Sequence, residues 1–335
     1  MIKFYKILFL NSLILGTLIT ITSFSWFSMW LGLEINLLSI IPLLSSYKNL
    51  YPAESAIKYF ITQALASTIM IFSIMSMLKN YEIINNSYNL FTLMFNSSIL
   101  LKMGSAPFHF WLPEIMEGLN WSNNLIILTW QKLAPMILCF YFMKMNNFYI
   151  TAIISSSMIS GIMGLNQQSI RKIMAFSSIN HISWMLSSMF ISSYIWLFYF
   201  LIYSIISISL INFFKKNNIF FIFQLFNVKN YWKIPNLMFS MIFLSLGGLP
   251  PFLGFFPKWL IIFLMIKKNL IFIAFILMIM TLISLFYYLR LMLPFLMNFH
   301  QEFLNTKIYK ISFISWMMIF INLFGIIFTP SLLWF

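Results

Sequence analysis

The sequence predicts an all-α membrane protein that crosses the bilayer about eleven times. Of its 335 residues, 61% are hydrophobic and only 8% are charged, whereas soluble domains carry roughly 25% charged residues. Apolar runs of about 20 residues recur almost from end to end, and each can span the ~30 Å hydrocarbon core as a helix. Because the segments between the runs are short, we expect one integral membrane domain over residues 1–335.

The basic residues indicate how the chain lies in the membrane. The net charge is +14, but the lysines and arginines are dispersed between the apolar runs, which argues against a nucleic-acid partner. Most of them fall in loops on one side. By the positive-inside rule, the N-terminus and the even-numbered loops face the cytoplasm or the mitochondrial matrix. An odd number of spans then places the C-terminus on the opposite face, the intermembrane-space side in a mitochondrion.

The sequence offers little that could hold a cofactor. Its six acidic residues are all glutamates and its single cysteine is Cys139, so neither an internal disulfide nor a Cys-ligated iron–sulfur cluster is expected. There is no G-x-G-x-x-G turn and no P-loop. We therefore expect no metal and no cofactor in this chain, so any redox or nucleotide chemistry that it serves must take place in partner chains.

One stretch, residues 99–118, combines a buried lysine with a helix break. Lys102 lies in an apolar run that Gly104, Ser105 and Pro107 then interrupt. Pro107 lacks an N–H, so the carbonyl of Met103 loses its helical partner. Irregular backbone at membrane depth is tolerated only where protein or a water-filled cavity satisfies it. The stretch therefore predicts a hydrated polar site with Lys102 at its edge.

Three further charged residues lie in predicted spans. Glu34 is near the middle of the run 24–46, where an uncompensated acid costs ~2.5–3.5 kcal/mol. It is either a functional carboxylate or a neutral one that hydrogen-bonds across helices. Lys132 precedes Pro135, which leaves a free carbonyl beside a second buried lysine. The run 236–266 is interrupted by GGLPPFLGFFPKW and carries Lys258 just beyond the break, so it predicts a second discontinuous helix of the kind that forms ion sites in transporters.

Two histidines have competing interpretations. His181 lies on one helical face with Ser177 and Trp184, and this polar stripe fits a proton relay and interhelical hydrogen bonding equally well. His109 follows the first break, where a structural or interfacial role is favoured over proton transfer. We expect Lys58 and Arg290 to extend their charged ends to the membrane interface.

Five strings in this order resemble the antiporter-like membrane subunits of respiratory complex I, in particular the subunit 2 family of mitochondrial NADH dehydrogenases. They are MWLGLEINLLSIIPLL, LLKMGSAPFHFWLPEIMEG, TWQKLAPM, GLNQQSIRKIMAFSSINHISWM and SLGGLPPFLGFFPKWL. Together they cover much of the chain from Met29 to Leu260. The set is far more specific than any one string.

The resemblance implies an antiporter-like fold with two discontinuous helices and a core membrane subunit of NADH:ubiquinone oxidoreductase. By it, Glu34 and Lys102 match the family's glutamate–lysine pair, Lys132 its central lysine, and Lys258 the lysine of the second broken helix. His181 falls in a matched string and is a further relay candidate. NADH, flavin, iron–sulfur clusters and ubiquinone would be handled by partner subunits. The location implied is the mitochondrial inner membrane, beside neighbouring antiporter-like subunits and lipid.

Two other functions fit the same residues. A stand-alone cation/proton antiporter would use the same buried lysines and broken helices, and copurification with a redox enzyme separates it from a complex I subunit. A purely structural membrane subunit would tolerate neutral substitution of its lysines.

Overall fold

The computed structural model describes residues 4–46, 49–79, 85–143, 147–226, 233–296 and 320. The chain forms two compact units, residues 1–152 and 153–335. The predicted last span, residues 311–333, lies outside the described residues except for position 320. Within the described ranges there are helices and turns but no strand, apart from one isolated antiparallel bridge between Ser169 and Phe221. The all-α prediction is confirmed.

The first unit holds seven helices among its described residues, and an eighth begins in it. They are α1 (Phe4–Thr22), α2 (Trp26–Leu44), α3 (Leu50–Lys79), α4 (Asn85–Met103), α5 (Trp111–Gly118), α6 (Trp121–Leu128), α7 (Trp130–Phe142) and α8 (Asn147–Leu165). The sequence predicts one continuous run over residues 123–145, where the structure has the two helices α6 and α7. Thr129 separates them, and its hydroxyl donates to the carbonyl oxygen of Leu125 at 2.7 Å.

The second unit contains the rest of α8 and five more described helices. They are α9 (Ile170–Met189), α10 (Ser193–Asn217), α11 (Lys233–Gly247), α12 (Phe255–Lys267) and α13 (Ile271–Leu296). A 3₁₀ turn, Ile222–Leu225, follows α10. The backbone of Ile170 donates to the carbonyl of Phe220 at 2.9 Å, which ties this turn to the start of α9.

Seven spans among the described helices are long and apolar enough to cross a membrane. They are α1, α2, α3, α6 with α7, α8, α10 and α13. This confirms a polytopic membrane protein, while the total of about eleven spans stays a prediction. Helix α9 is not among them, yet all its residues except Arg171 and Lys172 are buried.

The serines of α9 show how a polar helix can be buried. Ser177, Ser178 and Ser183 each donate to a carbonyl oxygen three residues earlier, at 2.6–2.7 Å. Their hydroxyls therefore need no water. Asn180 instead reaches another helix, because its amide donates to the hydroxyl of Ser284 on α13 at 3.1 Å.

Helices α1 and α2 approach each other closely at two glycines, Gly16 on α1 and Gly32 on α2. A Cβ atom on Gly32 would lie 2.5 Å from Cγ2 of Thr20 and 2.8 Å from the carbonyl oxygen of Gly16. Small residues that let two backbones approach are a common basis for helix association in membranes. The contact fixes α2, which carries Glu34.

Replacing Gly32 by alanine should therefore destabilise the first unit. Overpacking of this kind costs about 1–3 kcal/mol, and we expect a lower thermal midpoint and less assembled protein in detergent. Gly161→Ala is the matched control, because a Cβ atom there would meet nothing nearer than 3.5 Å. Equal midpoints for the two variants would show that the close approach of α1 and α2 is unimportant.

Candidate functional site

The two helix breaks share a sequence pattern and a backbone shape. Residues 104–113 and 248–257 both read G-x-x-P-F-x-x-x-x-P. Both glycines have positive φ, +72° at Gly104 and +80° at Gly248, in the left-handed region that other residues avoid. A cis X-Pro bond follows at the same position in each break. The prediction of discontinuous helices at these two places is confirmed.

At the first break, neutral donors satisfy the carbonyl end of α4. The backbone N–H of Ser105 donates to the oxygen of Leu100 at 3.1 Å. The indole N–H of Trp111 donates to the oxygen of Leu101 at 3.0 Å. The amide of Gln63, on α3, donates to the oxygen of Lys102 at 3.4 Å. The helix end therefore does not require the Lys102 ammonium as a cap.

The Lys102 side chain is 7% exposed and borders a small polar cavity. The cavity has a volume of about 20 Å³, and a site of at least ~10–15 Å³ can hold a water molecule. Its lining residues come from α2, α3, α4 and α7: Leu33, Asn36, Leu37, Tyr59, Gln63, Lys102, Gln131 and Pro135. This cavity matches the predicted polar site at the first break.

A chain of neutral polar side chains crosses the wall of this cavity. The hydroxyl of Tyr59 lies 3.3 Å from Oε1 of Gln131, and the amide of Gln131 donates to Oδ1 of Asn36 at 2.9 Å. These bonds join α3, α7 and α2. None of the three residues was a sequence candidate, and only Gln131 had a signal, its position beside Lys132.

Glu34 lies on α2 and is half-buried. Leu33 and Leu37, on the same helix, line the cavity that Lys102 borders, so Glu34 belongs to the helix that forms one wall of this cavity. The two groups do not form an ion pair. In the first unit, Lys58 forms ion pairs with Glu54 and Glu114.

Lys132 is the most deeply buried lysine of the site, at 2% exposure. It lies in the first turn of α7, where its backbone N–H donates to the carbonyl of Thr129 at 3.3 Å. Pro135 is inside the same helix, as the sequence predicted. Gln131 and Pro135 border the cavity beside Lys102, so the helix that carries Lys132 forms one wall of that cavity.

Lys258 occupies the second break in a different way. Its Nζ atom donates to the carbonyl oxygens of Leu246 at 3.0 Å and Gly247 at 2.9 Å. These carbonyls end α11, where the helix dipole favours a positive charge. The side chain is 6% exposed, and Nζ lies 5.9 Å from the ring of Trp184 on α9. One broken helix therefore directs its lysine toward a cavity and the other binds its lysine as a cap.

His181 lies in the same unit as Lys258, three residues from Trp184 on α9. Its Nδ1 atom is 2.9 Å from the hydroxyl of Tyr199 on α10, and its ring centroid is 4.8 Å from that of Tyr203. The five predicted site residues thus form two groups, with Glu34, Lys102 and Lys132 in the first unit.

Other predicted side chains have structural partners. His109 contacts the carbonyl of Pro107 at 3.2 Å and packs on Phe110, which favours its structural interpretation. The guanidinium of Arg290 donates to the carbonyls of Leu165 and Gln167, at the end of α8 and just beyond it, both at 2.8 Å; its position at the membrane interface stays a prediction. Across the described ranges, no group of three or more His, Cys, Asp or Glu side chains could hold a metal ion.

Comparison with known proteins places this arrangement among respiratory and antiporter membrane subunits. A family model described as "NADH:quinone oxidoreductase/Mrp antiporter, TM" matches residues 23–284. The "NADH-ubiquinone oxidoreductase chain 2" of Anopheles gambiae is 47% identical over 326 residues, covering 96% of this chain and 95% of its own. The protein of the same name from Locusta migratoria is 44% identical, covering 89% and 87%.

The fold also matches a solved structure. A chain of the respiratory complex I from Thermus thermophilus aligns with a TM-score of 0.78 at 22% identity, over 88% of this chain and 71% of that one. At that identity the likeness establishes the fold alone.

Proposed function

The chain belongs to the membrane-subunit family of NADH:quinone oxidoreductases and Mrp antiporters, and from this premise we propose that its buried charges form a proton relay. The protein is a multi-pass membrane subunit of respiratory complex I in the mitochondrial inner membrane. The proposed relay residues are Glu34, Lys102, Lys132 and Lys258, with His181 as a further member. Partner subunits would hold NADH, flavin, iron–sulfur clusters and ubiquinone.

The burial of three lysines is the observation that carries the proposal. Lys102, Lys132 and Lys258 are between 2% and 7% exposed, and each lies beside an interruption of its helix. A buried ammonium is expensive in a membrane and marks ion or proton pathways by default. The protonation of a buried lysine also responds to nearby charges, so a change of charge close to it can move its proton.

The attraction between a buried glutamate and a buried lysine is of the same size as the free energy needed to move one proton across the membrane potential. At an effective dielectric of about 20, a carboxylate and an ammonium attract by ~4 kcal/mol at ~4 Å and by ~2.4 kcal/mol at ~7 Å. Moving one charge against 100 mV costs about 2.3 kcal/mol. Glu34 lies on a helix that lines the cavity beside Lys102 and makes no ion-pair contact with it, which leaves room for the pair to tighten and loosen when a neighbouring subunit changes charge.

The cavity beside Lys102 supplies the second requirement of a relay, a path for the proton. A single water in it would lie among the side chains of Gln63, Gln131 and Tyr59. Hydroxyl and amide groups of this kind orient water without competing for its proton. We propose that this water passes the Lys102 proton toward α7, which carries Lys132.

The two compact units would act as one proton-translocating membrane domain. We propose that the N-terminus faces the matrix and the C-terminus the intermembrane space, as the distribution of basic loops predicts. In this proposal the chain performs no redox chemistry itself and contributes only the proton-translocation step of the oxidoreductase.

The proposal is tested first by asking which assembly contains the chain. Native membranes are extracted in mild detergent, the assemblies are separated by size, and NADH-oxidising activity is measured in each fraction. We expect the chain to migrate with that activity in one large particle. Migration apart from it would contradict a role in complex I and would assign the same lysines to a free-standing cation/proton antiporter.

A further inference from the structure

We propose that Tyr199 is a positioning residue that fixes the tautomer and the ring orientation of His181. The inference rests on the proposed function, because it matters only if His181 transfers protons. It depends on contacts between α9 and α10, both within the second unit. His181, Tyr199 and Tyr203 are each at most 4% exposed, so water cannot easily replace the bonds that these side chains make.

The Tyr199 hydroxyl is 2.9 Å from Nδ1 of His181, which is a full hydrogen bond. A neutral imidazole has one donor and one acceptor nitrogen, and a phenol both donates and accepts. When the Tyr199 O–H donates to Nδ1, the imidazole proton is on Nε2. When His181 is protonated, Nδ1–H donates to the phenol oxygen instead. One hydroxyl can therefore serve both protonation states while both rings stay in place.

Two further aromatic side chains, Tyr203 and Trp184, lie close to the His181 imidazole. The ring of Tyr203, one helical turn beyond Tyr199, packs with its centroid 4.8 Å from the imidazole centroid. Trp184 lies one turn along α9 from His181, and Nζ of Lys258 lies over its ring, 5.9 Å from the ring centroid. Without the bond to Tyr199, the imidazole would lose its fixed position on α9, one turn from Trp184.

These two tyrosines provide a matched pair of variants. Tyr199→Phe removes the hydroxyl that bonds to Nδ1 and keeps the aromatic ring. Tyr203→Phe removes a hydroxyl from the same helix and keeps the ring that packs on His181. Both cost one buried hydroxyl, so a purely structural effect should be similar for the two.

The experiment measures protons moved per unit time by the assembled complex in sealed vesicles, normalised to the amount of assembled complex. We expect Tyr199→Phe to lower this rate about tenfold, because the buried hydrogen bond that it removes orients the imidazole, and Tyr203→Phe to lower it less than about twofold, because that variant keeps both the bond to Nδ1 and the ring that packs on His181. In a His181→Gln background, Tyr199→Phe should cause no further loss, because coupled residues are not additive.

The outcomes separate the inference from the proposal beneath it. If His181→Gln alone translocates protons like the wild type, His181 is not part of the relay and the proposed function loses that member. If His181→Gln is impaired but Tyr199→Phe behaves like Tyr203→Phe, the positioning role alone is overturned. Because the translocation rate is divided by the amount of assembled complex, poor assembly of a variant does not change either conclusion.

Discussion

Replacing Lys102 by methionine should reduce proton translocation by the assembled complex at least about tenfold, since groups that transfer protons contribute about 10²–10⁴-fold to a rate. Methionine keeps the length and burial of the side chain but cannot carry a proton. The fold should survive, because exchanging a buried charge for an apolar group of similar volume is often neutral or stabilising. Proton uptake by sealed vesicles during NADH oxidation measures the effect.

Lys58→Met is the control for this prediction. Lys58 also lies on a helix of the first unit, but its ion pairs with Glu54 at 3.0 Å and Glu114 at 3.3 Å are solvent-exposed. Exposed pairs contribute about 0–1 kcal/mol, so this variant should translocate protons normally. If the two variants behaved alike, the buried position of Lys102 would have no special role.

Replacing Gly248 by alanine should impair proton translocation about as strongly as replacing Lys258 itself. A Cβ atom on Gly248 would lie 2.7 Å from Cδ and 3.0 Å from Nζ of Lys258. The positive φ adds a backbone cost of roughly 1–2 kcal/mol for any other residue. The Lys258 ammonium would be pushed away from the carbonyls of Leu246 and Gly247, and we expect at least a tenfold loss of rate, about that of a missing proton carrier.

The comparison for Gly248→Ala is a double variant with Lys258→Met. If the alanine acts by displacing Lys258, the double variant should be no worse than Lys258→Met alone. Gly161→Ala, in the same unit and with ordinary space around its Cβ position, should leave the rate unchanged. Additive losses in the double variant would show that Gly248→Ala acts on the backbone and not through the lysine.

Local chemistry explains why the broken helices could be predicted from the sequence. Glycine and proline act on the backbone of their neighbours, so the interruptions at Gly104 and Gly248 leave a signal in the chain itself. An apolar run is equally local, and the first such run forms α1, Phe4–Thr22. The break at Thr129 was missed because a single threonine in an apolar run gives no comparable signal.

The partners of the buried charges could not be predicted in this way. Gln63 meets the carbonyl of Lys102, and Tyr199 meets His181, only because separate helices pack together. Spacing along the chain says nothing about which serine, glutamine or tyrosine will face a given lysine. The sequence also could not distinguish a lysine that borders a cavity from one that caps a helix, and the structure assigns these roles to Lys102 and Lys258.

The most direct test of the relay is the number of protons moved per electron in sealed vesicles, measured together with the rate of NADH oxidation. The variants are Glu34→Gln, Lys102→Met, Lys132→Met and Lys258→Met, with Lys58→Met as the control. We predict that each of the four lowers the proton-to-electron ratio or the oxidation rate, while the control matches the wild type. If all four kept both quantities unchanged, the buried charges of this subunit would not carry protons.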